Sequence, residues 1–167
     1  MNFKKERRMI YFLLVPIIGL LHIFIPAWGI IIPEISAAFY WYWGFYVGGS
    51  GGGVVTGIIA NETILNAGTT AMLLMLIGYA ILLVTVILAS VLKVDKTKKY
   101  LSILSIAWII LGILLIIAPS IYVNSIIDFI FDEYTITIGV FFSYALAIAT
   151  TILGIVCLYL AIKSKEN

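Results

Sequence analysis

The sequence predicts an all-α membrane protein: a four-transmembrane-helix bundle carrying a small extracellular β-sheet built from the first outer loop. Three observations predict it. The 167 residues are 63% hydrophobic and only 11% charged, whereas a soluble domain is about half apolar and about a quarter charged. Four long, strongly apolar stretches contain no Asp, Glu, Lys or Arg. Between the first two stretches lies an aromatic run, then glycines, then β-branched residues, which is a hairpin pattern. The composition excludes a soluble single domain, a disordered chain and a nucleic-acid-binding chain. A single cysteine, Cys157, excludes an internal disulfide and a cysteine-built zinc site.

These four apolar stretches are Met9–Pro33, Thr63–Leu92, Tyr100–Ile127 and Tyr134–Ile162. Each supplies the roughly 20 apolar residues that a helix needs to cross about 30 Å of hydrocarbon. A barrel would show weaker, alternating segments of about ten residues, and these runs are too continuous for that. The predicted helices cover residues 9–27, 67–92, 100–122 and 138–162 of one membrane domain, 1–167. The segments 28–66 and 123–137 are left outside the bilayer. Pro16 removes a backbone donor and predicts a kink in the first helix; Pro119 predicts a bend or an end in the third. Gly139, Ser143, Ala147 and Thr151 recur every four residues in the fourth helix. Such a small-residue stripe lets another helix approach closely, within the bundle or from a second copy. Ala71, Gly78 and Thr85, with Ala89 a turn further on, make a second stripe.

Basic residues set the orientation. Lys4, Lys5, Arg7 and Arg8 precede the first helix; Lys93, Lys96, Lys98 and Lys99 lie between the second and third; Lys163 and Lys165 follow the fourth. With Glu6, Asp95 and Glu166 that side has a net charge of +7. The opposite side holds Glu34, Glu62, Asp128, Asp132 and Glu133 and no base, for −5. Basic residues in short loops stay cytoplasmic, so both termini are expected inside, in the plasma membrane. A basic start and an apolar run also match a signal peptide cleaved after Ser36-Ala37-Ala38, but the run extends past the 7–15 residues of a signal core.

The first outer segment is informative. Phe39-Tyr40-Trp41-Tyr42-Trp43-Gly44-Phe45-Tyr46 is followed by Gly48-Gly49-Ser50-Gly51-Gly52-Gly53 and then Val54-Val55-Thr56-Gly57-Ile58-Ile59. Read as one strand, Phe39, Trp41, Trp43, Phe45 and Val47 share a face, and Tyr40, Tyr42 and Tyr46 the other. Thr135, Ile136 and Thr137 alternate and predict a further strand. The aromatic run has two readings: an interfacial belt at headgroup level, or a contact surface anchored by Trp41, Trp43, Phe45 and Tyr46. Asn61-Glu62-Thr63 matches the glycosylation acceptor pattern at Asn61.

This layout resembles that of the claudins and their relatives, the peripheral myelin protein and Sur7-type tetraspans. They share four helices, internal termini, a long first outer loop forming a sheet, a short basic inner loop and a shorter second outer loop. Claudins open the first outer loop with Pro-x-Trp, here Pro26-Ala27-Trp28, and carry Gly-Leu-Trp further on, here Gly44-Phe45-Tyr46. The resemblance implies that Trp28 and Gly44 fix the sheet to the bundle. It also implies that Glu34 and Glu62 are candidate acids along an ion path. The claudin cysteine pair after Gly-Leu-Trp is missing, so the sheet must hold by aromatic packing. The Arg that follows the claudin Trp is Gly29 here, and Lys165-Glu166-Asn167 does not match the claudin C-terminal ligand.

The search for chemistry finds little. His22 lies 14 residues past Arg8, about 21 Å along a helix. An intramembrane ionisable group is a candidate functional residue, and a neutral imidazole also serves as a hydrogen-bonding link between helices. No HExxH, CxxC, GxSxG or P-loop spacing occurs, and nothing pairs a nucleophile with a base. Asp128, Asp132 and Glu133 are a weak cation-binding candidate or a solvated loop. The expectation is a non-enzymatic tetraspan without a cofactor. Its partners would be the lipid bilayer and copies of itself or other membrane proteins, not nucleic acid. A small channel or transporter, or an accessory subunit of a membrane complex, is the alternative.

Overall fold

The computed structural model describes residues 17, 19–32, 36–91, 98–127 and 135–163. It is mostly helical, with three helices long and apolar enough to cross a membrane. These are α1 (Glu62–Val91), α2 (Lys98–Ser125) and α3 (Ile138–Lys163). Residues 9–16 of the predicted first helix, with Pro16, lie outside the described residues. Residues 19–21 are α-helical and tighten into a 3₁₀ turn, His22–Phe24.

The helix ends differ from the sequence expectation for local reasons. The first helix stops at Phe24, three residues early, because Ile25 precedes a proline and is extended at φ −77°, ψ 135°. α1 starts five residues early because Asn61 caps it: Asn61 Oδ1 accepts from Ile64 N–H at 3.2 Å. Glu62 adds an acid in the first turn, where the helix dipole favours it. α2 passes through Pro119 to Ser125 and does not end there. Ala118 and Tyr122 are buried on its core face, and that packing outweighs one lost hydrogen bond.

Each helix is apolar all round, yet only one stripe faces the core. In α1 the stripe is Ile64, Ala71, Met75, Tyr79, Leu82 and Val86, while Leu73, Ile77, Val84 and Leu88 are exposed. Such a pattern suits a helix with protein on one side and lipid on the other. The α2–α3 seam is close. A side chain at Gly112 would strike Thr151 Oγ1, and one at Gly154 would come within 2.7 Å of Ile109. The small residues Ala147 and Thr151 therefore receive α2 of the same chain.

The sheet is antiparallel, with strands β1 (Trp28–Ile32), β2 (Ser36–Tyr40), β3 (Phe45–Ser50), β4 (Gly53–Ile58) and the two-residue β5 (Thr135–Ile136). Their order is β4-β3-β2-β1-β5. One expectation is corrected here: the aromatic run is two strand ends and a turn. Gly44 N–H donates to Trp41 O at 3.0 Å, Trp41 N–H to Phe45 O at 2.9 Å, and Gly44 takes φ +82°. Phe39 and Val47 consequently pair across β2 and β3, while Trp41 and Trp43 occupy the turn. Gly51 and Gly52 make the next turn, into β4.

Candidate functional site

The sheet rests on the helices through an aromatic stack. Antiparallel register places Trp28 opposite Tyr40, and Tyr40 opposite Tyr46. Trp28 and Tyr40 stack at 4.2 Å and 8°, and Tyr40 and Tyr46 at 5.8 Å and 25°. Gly57 lies opposite Tyr46 and leaves room for its ring. Trp28 is 4% exposed and donates Nε1–H to Tyr122 Oη of α2 at 3.0 Å. It thus ties β1 to the bundle. Gly44 presses on Leu65 of α1, where a side chain would collide. Tyr46 is half-buried within the stack. Burial pushes the Tyr40 phenol above the usual tyrosine range, and neighbouring Tyr46 adds to this.

Beneath the stack is a buried polar cluster. His22 is 1% exposed. Its Nδ1 lies 2.7 Å from Gly19 O and 3.1 Å from Tyr79 Oη, and its Nε2 lies 3.1 Å from Ser143 Oγ. Tyr42, wholly buried, brings its hydroxyl to 3.4 Å from the same Ser143 Oγ. Its ring also lies 5.0 Å from that of Tyr122. Burial pushes the Tyr42 phenol well above the usual tyrosine range. The cluster links the end of the first helix, α1, α3 and the β2–β3 turn. Sequence reading singled out His22 and Ser143 but not Tyr42, Tyr79 or Tyr122. A tyrosine inside an apolar run needs a partner for its hydroxyl, and that was the available signal. His22→Ala is expected to destabilise the protein by about 2 kcal/mol, through a cavity and unpaired hydroxyls. His22→Asn should recover part of the loss. Reversible unfolding in mixed micelles reads both.

The remaining candidates are dispersed. Trp41, Trp43 and Phe45 cluster beside Phe24, with Trp43 stacked on Phe45 at 5.2 Å. Glu34, Asp128, Asp132 and Glu133 lie outside the described residues. Glu62 is exposed at the start of α1, and exposed Asn61 uses its side chain as the cap. Among the described residues no three His, Cys, Asp or Glu converge on a metal site. The sheet face that carries the stack continues, away from it, into an open apolar groove of about 350 Å³ lined by Ile30, Ile32, Ala38, Gly48 and Val55.

The β4 edge is uncovered. Val54, Val55 and Ile58 are 75%, 60% and 71% exposed. Ile59 N–H donates to Gly44 O at 2.8 Å. By antiparallel alternation Gly57 and Val55 then also bond β3, and the backbone groups of Val54, Thr56 and Ile58 point away from it. No family model matches the chain, and neither a curated protein nor a solved structure matches it.

Proposed function

We propose that the protein is a non-enzymatic tetraspan of the plasma membrane, with both termini cytoplasmic, that organises or joins membranes through contacts of its extracellular sheet, beside it in the same membrane or across to a facing one. The observation that carries this reading is the β4 edge. It is six residues long and apolar, and residues 35–61 contain no charge and no proline. Proteins ordinarily protect such an edge with charge, proline or a covering element. An open edge suits strand addition from a second copy or another membrane protein. In this reading the fourth span is the part of the uncharged run from Met9 that precedes the end of the first helix at Phe24, and the one-sided distribution of Lys and Arg supports the orientation. A sheet built from the first outer segment, with Trp28 at its base, supports the claudin resemblance. The groove beside β4 adds apolar area to the same contact.

Thr56→Pro tests the reading. The Thr56 N–H points outward, so proline blocks edge pairing while leaving the β3 ladder intact. Self-association in lipid vesicles, read by cross-linking or energy transfer, is expected to fall about tenfold, equivalent to about 1.4 kcal/mol. Unchanged association with the monomer fold retained would remove the proposal.

A further inference from the structure

The β2–β3 turn lies at a level that three helices fix. Trp41 donates Nε1–H to Phe24 O at 2.7 Å, at the end of the first helix. Pro26 O and Ala27 O accept from Gly139 and Val140 N–H at 3.0 and 3.3 Å, in the first turn of α3. Tyr42 O abuts Gly68, where a side chain would strike it. On α1, exposed Asn61, Glu62, Thr63 and Asn66 stand to one side of Gly68, and exposed Leu73 and Ile77 to the other. Polar surface thus gives way to apolar surface across this level, as it does at the face of a bilayer.

At the same level the aromatic cluster extends an existing lipid-facing stripe. Ile17, Leu21 and Phe24 are 50%, 60% and 69% exposed along the first helix, and Trp43 is 41% exposed beside them. Trp41 packs between, its ring 6.3 Å from Trp43 and 5.7 Å from Phe45. The geometry points to a lipid-binding surface: Trp41, Trp43 and Phe45, with Phe24, seat the sheet in the headgroup layer of the bilayer. Indole rings favour that layer because they join an apolar body to a polar N–H. The patch is continuous with the membrane-facing helix surface and carries no charge. Its occupant is therefore lipid and not a protein partner. The rest of the sheet follows from this seating. Phe45 and Ile58 form the membrane-proximal pair of the β3–β4 hairpin, and the Gly51-Gly52 tip lies about 17 Å further along the strands. The inference does not depend on pairing at β4.

The test uses the full chain in phosphatidylcholine vesicles, with Cys157→Ala as background. A nitroxide on Trp43→Cys is expected to collide with oxygen more often than with a water-soluble nickel chelate, at a depth near the phosphates. A nitroxide on Gly52→Cys should show the reverse. The Trp43 reading should also be unaffected by raising the lipid-to-protein ratio. Tip-like accessibility at Trp43, or shielding from both reagents as in a protein contact, would overturn the inference. A second measurement needs no label. Lipid brominated in the upper acyl chain should quench the tryptophan emission of the unaltered protein more than that of Trp43→Phe, and equal quenching would also overturn it. Trp41→Ala with Trp43→Ala should leave lateral self-association intact, which separates this surface from the β4 edge.

Discussion

Trp28→Ala is expected to lower the unfolding free energy by about 4 kcal/mol and to free the sheet while the helices stay in the membrane. Three losses act together. The indole is almost fully buried, so its removal leaves a cavity between β1 and α2. Its stack with Tyr40 disappears, and with it the base of the series that continues to Tyr46. The Tyr122 hydroxyl loses the N–H it accepts, which costs about 1 kcal/mol or more in a buried site. Trp28→Phe separates these terms. It keeps most of the apolar contact and the stacking and loses the hydrogen bond with a small part of the packing, so a decrease of about 1–2 kcal/mol is expected. Unfolding in mixed micelles measures the free energies. Protease cleavage within residues 28–58 reports the sheet separately. If cleavage of Trp28→Ala matches the parent protein, then the stack is not what holds the sheet down.

The three long helices were legible in the sequence because lipid imposes a one-dimensional rule: about 20 consecutive, strongly apolar residues make a helix. The ends were less legible, because they depend on single residues whose effect is local. Asn61 reads as a sugar acceptor and acts as a helix cap. Pro26 forces Ile25 into an extended conformation and so ends the first helix early. The β2–β3 turn was hidden for a different reason. Seven aromatics in eight residues carry a strong strand preference, and only Gly44 among them signals a turn. What decides the fold there is tertiary. Tyr42 leaves the sheet to be buried against Tyr122 and Ser143, which no pattern along the strand announces. The His22 cluster was half legible. The histidine was conspicuous, but Tyr79 and Ser143 lie 57 and 121 residues away in sequence. The stripe on α3 was visible as small residues, while its partner Gly112 was one glycine in an apolar run.

Gly112 carries the second large effect, and its sign is diagnostic. In an exposed helix interior, Gly→Ala stabilises by about 1 kcal/mol, because alanine is the better helix former. Gly112→Ala should instead destabilise this protein, by about 1–2 kcal/mol. The added methyl would strike Thr151 Oγ1 and lie 3.2 Å from both Ala147 O and Thr150 Oγ1. Thr151 Oγ1 already donates to Ala147 O at 2.8 Å, so it has little freedom to turn aside. Gly112→Leu should cost about 3 kcal/mol or more, since a branched side chain must push α2 off α3. The double variant Gly112→Ala with Thr151→Ala removes the nearest obstacle. It should be more stable than Gly112→Ala alone, with a coupling of about 1 kcal/mol in the double-mutant cycle. Additive effects in that cycle, or a stabilising Gly112→Ala, would mean that the two backbones are further apart than this seam requires. The bundle would then owe its cohesion to the polar cluster around His22 and to the sheet above it.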